Sequence, residues 1–367
     1  MTGLRSLAPS GQPSFESLDS MEGIPLLTPA EAALPPGVRL RLGLRRIGPG
    51  LAVAGVIAMA AAWLADHYGA PVMLFALLLG MAVNFLSQSA DCRPGIDFCA
   101  RTVLRIGVAL LGARIGLEQV LALGGGVLLI AASGVVVTIL AGWLLARAFK
   151  LGPDFGVLTG GSVAICGASA ALAISSILPP SEERERDTIL TVVGVTALST
   201  VAMIVYPLAA ASLGLSDHQT GVLLGATIHD VAQVVGAGYG VSKEAGDAAT
   251  IVKLFRVALL VPVVIVIAML FRGGEGRAKP SKRLPLVPLF LVGFVALVAV
   301  NSAGFLPAAG LVLAGDTSRW CLVTAIAAVG MKTSLGDVVK IGWKPVALVV
   351  LETAIVFAWA LGWIAAL

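Results

Sequence analysis

The stretch Gly156–Leu178, GVLTGGSVAICGASAALAISSIL, decides the fold of this chain. It is long enough to cross a bilayer as a helix, yet glycines and small polar residues interrupt its apolar pattern. Each interior glycine costs a helix about 1 kcal/mol relative to alanine. In hydrocarbon, backbone groups freed from a helix survive only where they face protein or a wet cavity. We therefore expect a crossing helix that loses its helicity within residues 159–167.

A second apolar stretch, Gly221–Gly240, repeats this combination as GVLLGATIHDVAQVVGAGYG. Its centre contains His229, Asp230 and Gln233, and we expect residues 225–233 to lose helicity beside the first break. Paired, glycine-interrupted spans are the best sequence-level indication of a transport site near the membrane midplane. The pair therefore favours a carrier.

The composition indicates a polytopic α-helical membrane protein. Hydrophobic residues make up 58% of the 367 residues and charged residues only 13%, whereas a soluble domain is about 25% charged. The net charge of +4 is modest and lies mostly in loops, so it indicates orientation rather than nucleic-acid binding. The scattered cysteines predict neither a disulfide framework nor a metal site, and we expect no cofactor. They are Cys92, Cys99, Cys166 and Cys321.

The chain divides into a disordered cytoplasmic tail, residues 1–48, and a transmembrane transporter domain, residues 49–367. The tail is rich in Pro, Ser, Gly and acids and has no apolar run of spanning length. Eleven candidate spans follow, nearly all of crossing length. They are 49–65, 70–88, 98–117, 123–148, 155–178, 188–213, 218–240, 248–271, 285–302, 316–335 and 345–366.

The positions of the basic residues predict the orientation. The densest basic cluster lies in the loop 272–283, eight predicted crossings after the arginines of residues 39–46. Because eight is even, the two clusters face the same side, which the positive-inside rule identifies as the cytoplasm. This favours full crossing by the two interrupted spans over re-entrant loops. We expect a protein of the cell (inner) membrane with a cytoplasmic N-terminus.

One internal repeat stands out. Gly112, Arg114, Leu117, Val120 and Gly124 recur 218 residues later as Gly330, Lys332, Leu335, Val338 and Gly342, and Pro71 and Asn84 recur 217 residues later as Pro288 and Asn301. An odd number of spans separates the copies, which predicts inverted repeats. Chance matching of Gly and Leu in an apolar chain is the alternative, and the two interrupted spans do not follow this offset.

The ionisable residues at the centre of the seventh span are candidates for ion coupling. An Asp at mid-bilayer costs about 2.5–3.5 kcal/mol on insertion scales, so it normally faces a cavity or a partner. We expect His229 and Asp230 to couple ion movement, with Gln233 one turn beyond His229 and on the same helix face. A hydrogen-bonded polar knot that joins helices is the alternative.

Two further sets of residues are candidates for substrate binding. Lys253 and Arg256 lie three residues apart on one helix face and suit an oxyanion; the alternative is an ion pair with Asp230 or Glu352. Opened backbone N–H groups and a half-helix N-terminus also attract anions. That second set comprises Gly160, Gly161, Ser162, Cys166, Gly167 and Ser169. Close packing of helices on small residues is its alternative reading.

At these residues the chain resembles a known family. The stretches are PVMLFALLLGMAVN (71–84), LRIGVALLGARIGL (104–117), LTGGSVAICGASA (158–170), GATIHDVAQVVGAG (225–238), IVKLFRVALLVPV (251–263) and VGMKTSL (329–335). They are similar to the YeiH family (UPF0324), described as sulfate exporters and grouped with cation:proton antiporters and bile-acid symporters. The resemblance implies inverted repeats, crossed broken helices, and transport by movement of a core bundle against a panel. It implies sulfate, sulfite or an organic sulfur anion as substrate.

We therefore expect a secondary transporter, antiporter-like in mechanism, that exports a small anion and is not an enzyme. Its expected partners are the anion, a coupling ion (proton or sodium), the lipid bilayer and a second copy in a homodimer, with no nucleic acid. Two alternatives remain open. The protein could be a membrane-embedded enzyme or sensor that uses His229 and Asp230, or it could be an anion channel.

Overall fold

A computed structural model describes residues 36–179, 183–271, 288–333 and 342–366 of the protein. Every regular element within these ranges is helical. The first eight α-helices are α1 Pro36–Tyr68, α2 Val72–Ala82, α3 Arg93–Phe98, α4 Leu104–Leu111, α5 Leu117–Ala122, α6 Gly124–Phe149, α7 Pro153–Ala164 and α8 Ala168–Ser175. The next eight are α9 Arg184–Ser212, α10 Asp217–Thr227, α11 Val231–Val241, α12 Lys243–Ala258, α13 Leu260–Leu270, α14 Leu289–Ser302, α15 Ala308–Lys332 and α16 Trp343–Ala366. A 3-10 helix at Asn84–Gln88 and a π turn at Cys99–Val103 supplement them.

Six helical stretches of the described chain are long and apolar enough to cross a membrane. They are Arg41–Tyr68, Gly124–Phe149, Arg186–Ser212, Lys243–Leu270, Ala308–Lys332 and Trp343–Ala366. These six coincide with six of the predicted spans. The other predicted spans contain shorter helices, singly or in pairs, whose length does not decide whether they cross. The protein is therefore an all-helical, multi-pass architecture in its described ranges, and the total of eleven crossings stays a prediction.

The N-terminal helix starts earlier than the predicted domain boundary. Helix α1 begins at Pro36, so residues 36–48 are helical rather than part of a disordered tail. The rest of that tail, the basic loop 272–283, and positions 335 and 338 of the repeat lie outside the described residues.

The helices that contain the interrupted segments form the interior of the protein. Every residue from Phe155 to Ala164 in α7 is buried, as is every residue from Thr220 to Thr227 in α10. Close packing on glycine makes this possible: a Cβ added at Gly221 would lie 2.6 Å from the Ala245 carbonyl oxygen of α12. We call α7, α8, α10, α11 and α12 the core group. Protein surrounds the buried segments of α7 and α10, as the free backbone groups of a break require.

Helices α2, α4, α14 and α15 form a second group, in which two asparagines make equivalent contacts. Asn84 Nδ2 donates to the carbonyl oxygens of Met331 (2.5 Å) and Thr333 (3.2 Å) at the end of α15. Asn301 Nδ2 donates to the Ile115 carbonyl oxygen (3.3 Å) just beyond α4. The two asparagines are related by the 217-residue offset, and Ile115 and Thr333 by the 218-residue offset. In each copy of the repeat, therefore, the asparagine side chain donates to backbone carbonyl oxygens near a helix end in the other copy.

Two glycines of the repeat make equivalent contacts as well. A Cβ at Gly330 would overlap the carbonyl oxygen of Leu77, and a Cβ at Gly112 would overlap that of Phe294. Leu77 and Phe294 are again 217 residues apart. Glycine is needed at both positions because backbone meets backbone there. These exchanged contacts are what two related copies packed face to face would make.

Candidate functional site

The first interrupted segment breaks at residues 165–167. Helix α7 ends at Ala164 and α8 begins at Ala168. Gly167 adopts φ +59° and ψ −121°, a conformation that side chains with a Cβ rarely adopt. A Cβ at this glycine would also overlap the Asp230 carboxylate. Backbone conformation and local crowding therefore both require glycine here.

The second interrupted segment breaks at residues 228–230. Helix α10 ends at Thr227, and both Ile228 (ψ 139°) and Asp230 (ψ 147°) are extended. Helix α11 begins at Val231, with Asp230 in the position that precedes its first turn. No glycine occupies this break, so tertiary contacts rather than local flexibility hold it open.

A single lysine joins the two breaks. Lys253 Nζ donates to the carbonyl oxygens of Ile165 (2.6 Å) in the first break and Ile228 (3.0 Å) in the second. It also donates to the His229 carbonyl oxygen. An ammonium group has three donors, and all three are engaged by backbone. The breaks therefore lie side by side around the Lys253 side chain.

Arg256, one turn further along α12, completes this arrangement. Its Nε donates to the Ala164 carbonyl oxygen (2.7 Å) and its Nη2 to that of Val163 (2.9 Å). Its Nη1 donates to the carbonyl oxygens of Gly225 (3.1 Å) and Ile228 (3.3 Å) in α10 and the second break. The last carbonyls of a helix lack partners and carry partial negative charge. The two cations of α12 therefore satisfy the carbonyl ends of both half-helices, which we call the carbonyl side of the crossing.

The carboxylate of Asp230 lies at the opposite, amide side of the crossing. It lies against Gly167 of the first break, with the backbone N–H of Ala168, the first residue of α8, and the Thr196 hydroxyl of α9 as neighbouring donors. The backbone N–H of Asp230 donates to Ser199 Oγ (3.1 Å), also on α9. A negative charge is favourable at a helix N-terminus, where the free N–H groups carry partial positive charge. Asp230 therefore occupies the place that an anion would take.

The two sides differ in exposure. Lys253 and Arg256 are 0% and 1% exposed, whereas Ser169 is exposed and Ala168, Thr196 and Asp230 are only partly buried. The amide side of the crossing is therefore open at the surface of the described protein, and the carbonyl side is closed. The open surface at the N-terminus of α8 is the candidate site for a transported solute.

The other two residues predicted for ion coupling contact different helices. His229 is fully buried, and its Nε2 lies 2.9 Å from Thr353 Oγ1 of α16. Gln233 is 2% exposed, and its Nε2 donates to Thr200 Oγ1 of α9 at 3.4 Å. They do not share a helix face, because His229 lies in the extended break before α11 begins. That part of the sequence-based expectation was wrong.

The structure also corrects the position of the first break. Gly160, Gly161 and Ser162 all lie inside α7, and Ser162 Oγ donates to the Leu158 carbonyl oxygen (2.6 Å) of the same helix. A Cβ at Gly160 would lie 2.9 Å from the Thr138 carbonyl oxygen of α6, and one at Gly161 would overlap Ile174 of α8. These glycines serve helix packing, the alternative stated above. Of the predicted set, Cys166 and Gly167 lie in the break, and Ser169 follows it.

Sequence reasoning missed the contribution of α9 and α16. Thr196, Ser199 and Thr200 recur at helical spacing in an otherwise apolar span, and such polar residues inside membrane helices often form interhelical hydrogen bonds. Glu352, fully buried in α16, was considered only as a partner of Lys253 or Arg256. The donors of both cations go to backbone carbonyls instead.

Comparison with known proteins identifies the family. Residues 49–349 match the family model described as "Conserved hypothetical protein 698". The chain is 51% identical to a UPF0324 membrane protein of Chlorobaculum tepidum over 318 residues (86% of this chain, 89% of the relative). It is 52% identical to the UPF0324 membrane protein TauZ of Paracoccus denitrificans over 307 residues (83% and 91%). A Bacillus cereus UPF0324 membrane protein is 34% identical over 302 residues (80% and 87%).

No solved structure matches the chain, so the wider relation to antiporters and bile-acid symporters stays a prediction. The matches to UPF0324 proteins cover most of both chains, and they confirm the resemblance carried by the six sequence stretches. The protein therefore belongs to the YeiH (UPF0324) family of membrane proteins.

Proposed function

We propose that this protein is a secondary active transporter that moves a small inorganic or sulfur-containing anion across the cell (inner) membrane, coupled to an ion. Sulfate and sulfite are the lead substrates, and export is the direction that the family resemblance implies. One observation carries the proposal: two broken helices meet with their amide ends around a partly exposed acid, Asp230. Broken helices that meet inside a bundle are the recurring form of a transporter's substrate site.

The geometry favours a proton as the coupling ion. While Asp230 is ionised, its carboxylate is the anion that lies at the start of α8, against Gly167 and beside the Ala168 N–H. When Asp230 takes up a proton, the N-terminus of α8 regains its uncompensated partial positive charge. A solute anion can then bind at the N–H groups of α8 and the exposed Ser169 hydroxyl. In this scheme the proton and the anion occupy the site together and move in the same direction. Export would then be driven by the outward gradient of the anion and by the inside-negative membrane potential, which acts on the net negative charge of a divalent anion with one proton.

The cations of α12 have a supporting role in this scheme. Lys253 and Arg256 supply positive potential from behind the site, but their donors remain on the carbonyls of the breaks. His229 and Gln233 connect the second break to α16 and α9 through Thr353 and Thr200. A shift of the break on ion binding would therefore reach both helices.

Transport would follow from movement of the core group against the α2, α4, α14 and α15 group. The exchanged contacts of Asn84 and Asn301 support two related copies within that second group. We propose that the copies are inverted, as the odd number of intervening spans indicates. We place the N-terminus in the cytoplasm, as the basic clusters predict. Alternating access of this kind requires no catalytic chemistry by the protein.

Flux through proteoliposomes tests the proposal. Full-length protein is reconstituted with radiolabelled sulfate or sulfite, with and without a pH gradient, and in parallel with a sodium gradient. We expect saturable flux of at least one anion that depends on the pH gradient. No gradient-dependent flux across the anion panel, from protein that is monodisperse and melts cooperatively, would refute it. Chemical turnover without flux would indicate an enzyme, and non-saturating currents would indicate a channel.

A further inference from the structure

The last helix contains a second buried carboxyl, Glu352, outside the Asp230 pocket. Its side chain is 0% exposed, and it lies about 14 Å along α16, near the middle of a helix of crossing length. Glu352 Oε1 lies 2.7 Å from Thr159 Oγ1 of α7, whereas the next residue, Thr353, contacts His229 of the second break. Two consecutive residues of α16 therefore contact the two broken segments separately.

The hydrogen bonds around Thr159 can accommodate a proton on Glu352. Its hydroxyl has one hydrogen but three oxygen neighbours: Glu352 Oε1, and the carbonyl oxygens of Phe155 (3.1 Å) and Gly156 (3.3 Å). If Glu352 carries a proton, its O–H donates to Thr159 Oγ1, and the hydroxyl donates onward to the Phe155 carbonyl. Each of the two hydroxyl hydrogens, of Glu352 and of Thr159, then has one oxygen acceptor. If Glu352 is ionised, the hydroxyl donates to Oε1, and the other carboxylate oxygen, Oε2, is left without a donor among the described residues.

The surroundings of Glu352 offer no compensation for a negative charge in the described part of the chain. Helix α6 presents Gly142, at which a Cβ would lie 2.5 Å from Glu352 Oε1. Helix α9 presents Val195, which belongs to the same apolar cluster as the α16 residues Val349 and Val356, on the turns before and after Glu352. The junction of α10 and α11 presents His229, whose Nε2 contacts Thr353 instead. The second oxygen of Glu352, Oε2, has no partner among the described residues.

We propose that Glu352 is a proton-binding site in the membrane interior, separate from Asp230, and that it holds the proton it shares with Thr159 in the state described here. The proton comes from water and is returned to water. An isolated ionised carboxylate is far more costly to bury than a protonated one. Release of this proton therefore requires that water or a positive charge reach the carboxylate.

Infrared spectroscopy of the purified full-length protein in lipid nanodiscs tests this inference. A protonated carboxyl absorbs through its carbonyl stretch, separate from the bands of a carboxylate. In the difference spectrum of the unmodified protein minus Glu352→Gln at neutral pH, we expect the protonated-carboxyl band. The amide of Gln can still donate to Thr159 Oγ1, so the variant retains the helix contact. Asp247→Asn is the matched control, because Asp247 is another buried carboxyl, on α12, and accepts a hydrogen bond from Tyr239 Oη (2.6 Å). The band assigned to Glu352 should remain in the spectrum of this control variant.

A second variant covers the case in which Glu352→Gln does not fold. Thr159→Val keeps the shape of the side chain and removes its hydroxyl, so the Glu352 band should persist and move to the frequency of a carboxyl with one hydrogen bond fewer. A carboxylate band in the Glu352→Gln difference spectrum, or a Thr159→Val spectrum identical to that of the unmodified protein, would overturn the proposal. Neither measurement needs a transported substrate, so the result is independent of the proposed transport function.

Discussion

The carbonyl side and the amide side of the helix crossing satisfy their backbone groups in different ways. On the carbonyl side, the fully buried Lys253 and Arg256 donate to the last carbonyls of both half-helices. On the amide side, the carboxylate of the partly exposed Asp230 lies against Gly167 at the start of α8, near the exposed Ser169. The first side is buried with all of its donors engaged, whereas the second is partly exposed. In this protein, the candidate solute site therefore lies at Asp230 rather than at the two cations, whose donors are all engaged by backbone.

The largest effect should follow from opening the carbonyl side. Replacing Arg256 by Leu leaves carbonyl oxygens of both half-helices without their hydrogen-bond donors. Each buried unsatisfied group costs roughly 1–3 kcal/mol. We expect Arg256→Leu to yield little folded protein and Arg256→Lys to have an intermediate melting temperature, measured in detergent. Lys243→Met is the control, since Lys243 is exposed at the start of the same helix. An Arg256→Leu protein as stable as this control would mean that the carbonyl side is not structural.

Neutralising the acid of the amide side should abolish coupling and leave the fold intact. Asp230→Asn keeps an oxygen acceptor for the Ala168 N–H but cannot exchange a proton. We expect anion flux in proteoliposomes to lose its dependence on the pH gradient and to fall by about tenfold, an energetic change of ~1.4 kcal/mol. Asp247→Asn, which alters a buried acid away from the breaks, should retain the dependence. Undiminished, pH-driven flux in Asp230→Asn would remove Asp230 from the mechanism.

A methyl group at the first break should disturb the amide side specifically. Gly167→Ala forces a strained backbone, worth about 1–3 kcal/mol, and its Cβ would displace the Asp230 carboxylate. Gly214→Ala is the matched control, because Gly214 also has a positive φ (+68°) but nothing within 4 Å of its added Cβ. We expect the melting temperature of both variants to fall. Only Gly167→Ala should also show reduced anion flux when flux is normalised to the amount of folded protein. Equal flux in the two variants would argue against the contact with Asp230.

The smallest perturbation measures the difference in exposure directly. In a background without native cysteines, Ser169→Cys should react readily with a membrane-impermeant thiol reagent, because Ser169 is exposed. Ser162→Cys should stay protected, since Ser162 is 0% exposed inside α7. Neither change should move the melting temperature by more than a few degrees. Similar labelling rates at both positions would show that the amide side is no more open than the interior of α7.

Local features of the sequence predicted the class of protein and the existence of both breaks. Apolar runs of crossing length identify membrane helices because every backbone group in lipid must be satisfied within the protein. An acid in such a run, Asp230, indicates a cavity or a partner for the same reason. These inferences need only composition and spacing, and they hold whatever the tertiary arrangement.

The position of the breaks and the roles of the charges were settled by packing. Gly160 and Gly161 looked like the point of unwinding, but α6 and α8 pack so closely on them that α7 remains helical there. The second break has no glycine and is held by donors from α12, twenty or more residues away in sequence. Spacing alone cannot state which acceptor a lysine or arginine will find. Helix ends supply acceptors that are invisible in the sequence.

The sequence by itself determined that this chain is a multi-pass helical membrane protein of the YeiH family with two interrupted spans, since hydropathy and motif identity are local properties. Only the tertiary structure decided that Lys253 and Arg256 close one side of the crossing, that Asp230 occupies the other, and that Glu352 contacts α7 through Thr159. Each depends on which backbone and side-chain groups meet across helices, and those meetings are fixed by the packing of the whole bundle.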